Sequence, residues 1–204
     1  MAKQPKGWIS DPVPLTASGR PIGPPGGNYN IVSRFGAEQA DKLRACDDLK
    51  HGLTTKACRI KTPIKLVSRR HVSQLCRSYA SDGRDWALFK ADHEAAYKQL
   101  PLEIDDQAAA IIAPRHLVSG KWFGFRPRTL MFGSVAAVLH YNIFRRLIAA
   151  VFNRLFMIPL VCFFYDFAAL LPRLLATNDL AVFTRFCGLL GIRLKTAKSE
   201  VCLL

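Results

Sequence analysis

The chain has 204 residues, half of them hydrophobic, and 29 lysines and arginines against 15 acids give a formal net charge of +14. That apolar content excludes a disordered basic tail, and the length allows one large or two small domains with a real core. Charge together with a core implies a folded module with a polyanionic partner, nucleic acid first and an anionic membrane surface second.

Residues 1–33 are rich in Pro and Gly (DPVPL, SGRPIGPPGGNYN) and read as an extended arm, with Trp8 able to anchor it. MAKQPKGWISDP holds no apolar run, so no secretory signal is expected. Residues 37–45 could form a short helix, followed by the polar connection CDDLKHGLTTK. Arg34, Lys42, Arg44, Lys50, Lys56, Arg59 and Lys61 make this region a candidate phosphate surface or a solvated basic face.

Residues 68–81 carry Val72, Leu75, Cys76 and Tyr79 at helical spacing, and Asp82-Gly83 ends the pattern. Residues 86–91 read as a buried strand delivering Asp92. His93-Glu94 lacks the second histidine of a zinc-protease motif. Residues 107–113 and 121–125 read as two strands joined across Ser119-Gly120. The second sets Trp122, Phe123 and Phe125 beside Lys121, Arg126 and Arg128, which suits either base stacking or a core with a charged rim.

Residues 133–156 form the longest helical pattern. Val138, Ile143, Leu147, Ala150 and Val151 mark its expected apolar face, opposite Arg145, Arg146 and Arg154; Pro159 stops it. LVCFFYDFAALL then places a single acid, Asp166, in an apolar run, which reads as a hairpin with the carboxylate at or beside the turn. Asn178 or Asp179 could cap a last helix ending at Gly191, and residues 192–194 read as a short strand before KTAKSE. Setting the 107–125 hairpin aside, the order from Trp86 is β-α-β-β-α-β, the split βαβ pattern, which brings Asp92 and Asp166 to neighbouring strands. Paired acids of this kind are the protein half of many phosphoryl-transfer metal sites.

The six cysteines (46, 58, 76, 162, 187 and 202) form no CxxC pair, so zinc is not expected and reduced thiols point to the cytoplasm or nucleus. Residues 155–171 are the most membrane-like window, but they are too short to span and contain Pro159 and Asp166. No membrane span is expected.

Several segments, in order, resemble a retroelement-type reverse transcriptase. FKADHEAAYKQLPL resembles that family's first palm motif, with the metal-binding acid at Asp92. LMFGSVAAVLHYN resembles the glycine-containing motif that opens the long palm helix, and LGIRLKTAKSE the later palm motif ending in Lys198. FFYDFAAL stands where the family has its aromatic-x-Asp-Asp hairpin, and KLRACDDLKHG is similar to the fingers segment whose basic residue, here Arg44, reaches the triphosphate. The resemblance implies an α+β fold, a polymerase-type palm whose split βαβ antiparallel sheet carries two packed helices, with partial fingers, over residues 34–204. It implies Mg²⁺ held by Asp92 and Asp166, Tyr97 under the incoming sugar, Phe132 and Gly133 shaping the nucleotide pocket, and Lys198 near the leaving pyrophosphate. The partners implied are an RNA or DNA template-primer and deoxynucleotide triphosphates.

The sequence departs from the family's pattern in the hairpin, which has Tyr165-Asp166 instead of two acids. Either Phe163 is the motif's aromatic and Tyr165 replaces the first acid, or Phe164 is the aromatic and Phe167 replaces the second. The first is preferred, because FAAL then continues directly as the outgoing strand. A phenol cannot bridge two divalent cations, so catalysis is expected to be impaired. No thumb or ribonuclease H segment is expected within the 204 residues, which points to a truncated polymerase. The alternative is a non-catalytic basic nucleic-acid-binding module, and a third reading is membrane association through residues 155–171.

Overall fold

The computed structural model describes residues 7–13, 15, 30–39, 42–51, 58, 63–64, 67, 69–80, 83–107, 109–115 and 119–203. The 16–29 stretch of the arm, Lys56, Arg59, Lys61 and Asp82 lie outside them. The described elements, in chain order, are β1 (Asn30–Gln39), β2 (Lys42–Asp47), α1 (Arg69–Ala80), β3 (Trp86–Asp92), a 3-10 turn (Ala96–Gln99), α2 (Ile104–Gln107), β4 (Ala110–Ala113), α3 (Val135–Leu155), β5 (Leu160–Phe163), β6 (Asp166–Pro172), α4 (Arg173–Leu189), a second 3-10 turn (Thr196–Lys198) and β7 (Glu200–Leu203). The fold is mixed α+β with two sheets. The chain divides into two units, Met1–Lys61 with Tyr97–Leu139 and Thr62–Ala96 with His140–Leu204.

The first unit holds the sheet β2-β1-β4, antiparallel between β1 and β2 and parallel between β1 and β4. The helix expected over residues 37–45 is therefore two strands. ADKLRA is rich in helix formers, but β-branched Ile31 and Val32 register with Ile111 and Ile112, and that non-local pairing overrides local propensity. Of the two strands expected over 107–113 and 121–125, only β4 forms, Gln107 ending α2; residues 121–125 contribute the isolated bridges Arg115 to Trp122 and Ile112 to Phe125, with Gly120 at φ +66° in the connection. Residues 8–13 run along the other edge of the 124–128 segment: Val13 N–H donates to the Gly124 carbonyl (2.6 Å), and Arg128 N–H to the Trp8 carbonyl (2.9 Å). A Cβ at Gly124 would stand 2.8 Å from Leu15 Cδ2 and 3.0 Å from Ile111 Cγ2, so a side chain there would force those side chains to shift. Val32, Leu49, Ala110, Ile112 and Met131 make this unit's core.

The second unit contains the antiparallel sheet β5-β6-β3-β7. The elements β3, α3, β5, β6, α4 and β7 follow the order β-α-β-β-α-β. Strand alternation sends Ala87, Phe89 and Ala91 of β3, and Phe167, Ala169 and Leu171 of β6, into a core with Ile148, Ala149 and Phe152 of α3 and Ala176, Phe183 and Cys187 of α4. Ala176, Leu180, Phe183 and Cys187 recur at i, i+4, i+7 and i+11, the stripe a helix needs to lie on a sheet. Burial pushes the Cys187 thiol up to about 12, so it is an inert core group. Val72, Leu75, Cys76 and Tyr79 of α1 are half-buried as their spacing requires.

Three details differ from the sequence reading. The buried side of α3 is Tyr141, Asn142, Arg145, Ile148, Ala149 and Phe152, while Ile143 and Leu147 are 58% and 62% exposed. Arg145 is fully buried because its Nε donates to Asn142 Oδ1 (2.6 Å) and its Nη1 to the Cys162 carbonyl (2.6 Å). Helix α4 begins after Pro172, five residues before Asn178, with no side-chain cap. Proline fixes a helix-compatible φ, and the Arg173 N–H is satisfied by the Asp85 carbonyl (2.9 Å). Residues 192–194 contribute only the bridge Leu194 to His93, and the final strand is β7. Gly191 (φ +71°) does end α4.

Residues 155–171 are mostly the β5-β6 hairpin. Among the described residues, α3 alone is long and apolar enough to cross a membrane by length and composition, and its buried side belongs to the second unit's core.

Candidate functional site

Strands β3 and β6 pair so that Asp92 lies directly opposite Asp166. Alternation puts both acids on the face away from α3 and α4, together with Lys90 and, from β7, Glu200, which form a cross-strand ion pair. Facing residues of an antiparallel pair have Cβ atoms about 5 Å apart, so the sheet itself holds the two carboxylates close.

Two loops complete this end of the sheet. Residues 192–195 run back along β3: Glu94 N–H donates to the Arg193 carbonyl (2.9 Å) and Lys195 N–H to the Asp92 carbonyl (2.7 Å). The following 3-10 turn delivers Lys198, whose Nζ lies 3.4 Å from Asp92 Oδ2. On the other side, Phe163 pairs with Asp166, leaving Phe164-Tyr165 as a two-residue hairpin turn. Such turns need positive φ at the first central position, and Phe164 takes φ +50° although it is not glycine. The Tyr165 carbonyl accepts from His93 N–H (3.2 Å), tying the turn to the end of β3. Of three non-glycine residues with positive φ among those described, Ala95 and Phe164 both flank the acid pair. Strain of this kind persists where surrounding contacts over-determine the backbone.

Burial, and then repulsion from Asp92, raise the Asp166 carboxyl above its ordinary range, while Lys198 and Lys90 pull it down. Asp92 is only 6% exposed. Beneath it, His93 points into the core, stacked on Phe167 at 4.7 Å with Nδ1 bound to the Tyr141 hydroxyl at 2.6 Å. Burial lowers its pKa to about 4, so this imidazole is neutral and supports the strand end. The sequence reading gives His93, Tyr141 and Arg145 no supporting role, although His93 and Tyr141 lie within two of the segments that carry the resemblance.

The remaining candidates belong to the first unit. Tyr97 is buried and meets Phe132 edge-on at 4.9 Å. Phe132 is partly exposed, and the next residue, Gly133, takes φ +88°, which a side chain would resist. Arg44 lies on β2 opposite Ala37, and its side chain is outside the described residues. The structure thus groups Asp92, Asp166, Lys198 and Tyr165 in one unit, and Tyr97, Phe132 and Gly133 in the other.

Among the described residues there is no group of three or more His, Cys, Asp and Glu side chains placed to hold a metal ion. Asp92 and Asp166 alone supply hard oxygen donors, and a divalent cation would relieve the repulsion that raises Asp166. Two carboxylates with water suit one Mg²⁺. They do not suit a pair of ions, because a phenol stands at the turn where a further carboxylate would be needed. No protein-family model and no curated protein matches the chain.

Proposed function

We propose that this chain is a nucleotidyl-transfer domain of reverse-transcriptase type, a polymerase palm with partial fingers whose catalysis is impaired at Tyr165. The observation that carries the reading is the register of Asp92 against Asp166, with Lys198 beside them, in a β-α-β-β-α-β unit. Its substrates would be a template-primer and deoxynucleotide triphosphates. Mg²⁺ held by the acid pair would polarise a phosphoryl oxygen when bound. Lys198 is placed to meet negative charge developing at that end of the sheet, and Tyr97 with Phe132 offers an aromatic wall for a nucleoside. The six free thiols fit a reducing compartment. The two-residue turn favours Phe163 as the motif's aromatic, which makes Tyr165 the substituted acid.

Primer extension on an RNA template with Mg²⁺ tests this. Tyr165→Asp is expected to extend about 100-fold or more faster than the parent, the effect of several kcal/mol at the transition state. Equal extension by both would show that Asp92 and Asp166 suffice. Extension by neither, with both folded, would overturn the catalytic reading.

One observation favours a second reading. Lys198 pairs with Asp92 at 3.4 Å, a contact that a nucleic-acid-binding module lacking chemistry would allow. A melting temperature that Mg²⁺ does not raise would support that module over the enzyme.

A further inference from the structure

The stripe of aromatic and basic residues in the first unit is only partly core: Phe125 packs against the unit's core cluster, and the residues before it do not. Trp122 is 47% exposed, Phe123 is also exposed, and Lys121 and Arg126 flank them in solvent. The Arg115–Trp122 bridge makes these two residues a cross-strand pair on one face, and Arg115 is exposed as well. Arg115 is held in place, its Nε donating to the Gly120 carbonyl at 3.3 Å.

Phe35, on β1 two residues beyond Ser33, is 53% exposed in the same unit. An exposed guanidinium and an exposed indole lie opposite each other across the Arg115–Trp122 bridge. From Ala110 to Arg128 the sequence contains four lysines and arginines and no acid. Exposed rings cost free energy in water, and a cationic rim without acids repels a basic partner. Both features fit single-stranded nucleic acid, whose unstacked bases offer flat faces and whose phosphates offer charge.

We propose that this face binds single-stranded RNA or DNA, with Trp122 stacking on a base and Arg115, Lys121 and Arg126 contacting phosphates. The proposal shares with the function above only the premise of a nucleic-acid partner, and it uses neither the acid pair nor a metal.

The test is fluorescence anisotropy of labelled oligo(rU) and oligo(dT) in EDTA, where the acid pair plays no part. The full chain should bind both with steep salt dependence. Trp122→Ala should weaken binding roughly tenfold with an unchanged salt slope, and Trp122→Phe should retain most of the affinity. Arg115→Gln should reduce the salt slope by about one. Circular dichroism confirms that each variant is folded. No binding by the parent, or equal affinity of parent and folded Trp122→Ala, would overturn the proposal. Preference for acidic phospholipid vesicles over oligonucleotides would also overturn it. Failed primer extension with intact, Trp122-dependent binding would instead count against the catalytic reading alone.

Discussion

Arg145 in the second unit and the Lys98 ammonium in the first are both cations withdrawn from water, and they are held in opposite ways. Arg145 is 0% exposed, yet its guanidinium donates to the Asn142 side chain and the Cys162 carbonyl, bracing α3 against β5. Lys98 Nζ is buried with no hydrogen-bond partner among the described residues. Burial lowers its pKa; Asp47 pulls it back up, and Arg34, already bound to Asp47 through two hydrogen bonds, opposes that. The contrast separates a cation that organises structure from one that the structure merely tolerates. Arg145 anchors Cys162, which pairs with Phe167 one step before the turn that presents Tyr165 and Asp166, so the brace holds the strand that leads into the acid pair.

Breaking the brace is the largest effect expected. Arg145→Met keeps the volume but removes two hydrogen bonds to buried acceptors, which costs about 2 kcal/mol. A melting temperature lower by about 6 °C should follow for a chain of this size. An unchanged melting temperature would mean that the carbonyl and amide find other donors, and that the brace is dispensable.

That residue also shows where sequence reading stops. The β-α-β-β-α order was legible because its strands are short apolar runs and its helices periodic ones, with Pro159 and Gly191 as punctuation, but the final strand was placed at 192–194 instead of Glu200–Leu203. Asp92 and Asp166 were legible as acids ending apolar strands. The buried side of α3 was not, because an arginine reads as surface unless its acceptors are known, and one of them, the Cys162 carbonyl, lies on β5. The start of α4 was misplaced for a related reason. Pro172 offers no side-chain cap, and the cap is supplied by the Asp85 carbonyl from another loop. Strands β1 and β2 were read as helix because their stabilisation comes from pairing partners that local composition cannot reveal.

Lys98→Met sharpens the comparison from the other side. Removing an ammonium that has no hydrogen-bond partner among the described residues should stabilise the first unit, by about 1 kcal/mol. The gain should depend on pH with a definite sign. Lys98 has a folded pKa below its unfolded value of 10.5, so the parent bears the cost of burying the charge at neutral pH. That cost is relieved as pH rises through the folded pKa, and it is gone above the unfolded one. Denaturant unfolding of parent and variant should therefore differ most near pH 7 and converge in the alkaline range. A difference that grows with pH would show that Lys98 has found a partner.

The smallest effect returns to α3. Leu147 is exposed on the side of the helix opposite the core, although its apolar character placed it inward in the sequence reading. Leu147→Gln removes no packed contact and strands no polar group, so its stability should stay within about 0.5 kcal/mol of the parent. The two substitutions on one helix then rank against ordinary expectation, since changing the charged residue is costly and changing the apolar one is not. That inversion is what the hydrogen bonds of Arg145 require, because a helix face is buried where its side chains find partners, and here those partners are an amide and a carbonyl. A Leu147→Gln loss as large as that of Arg145→Met would put Leu147 in a packed interface and rotate α3 back to the face its apolar residues suggested.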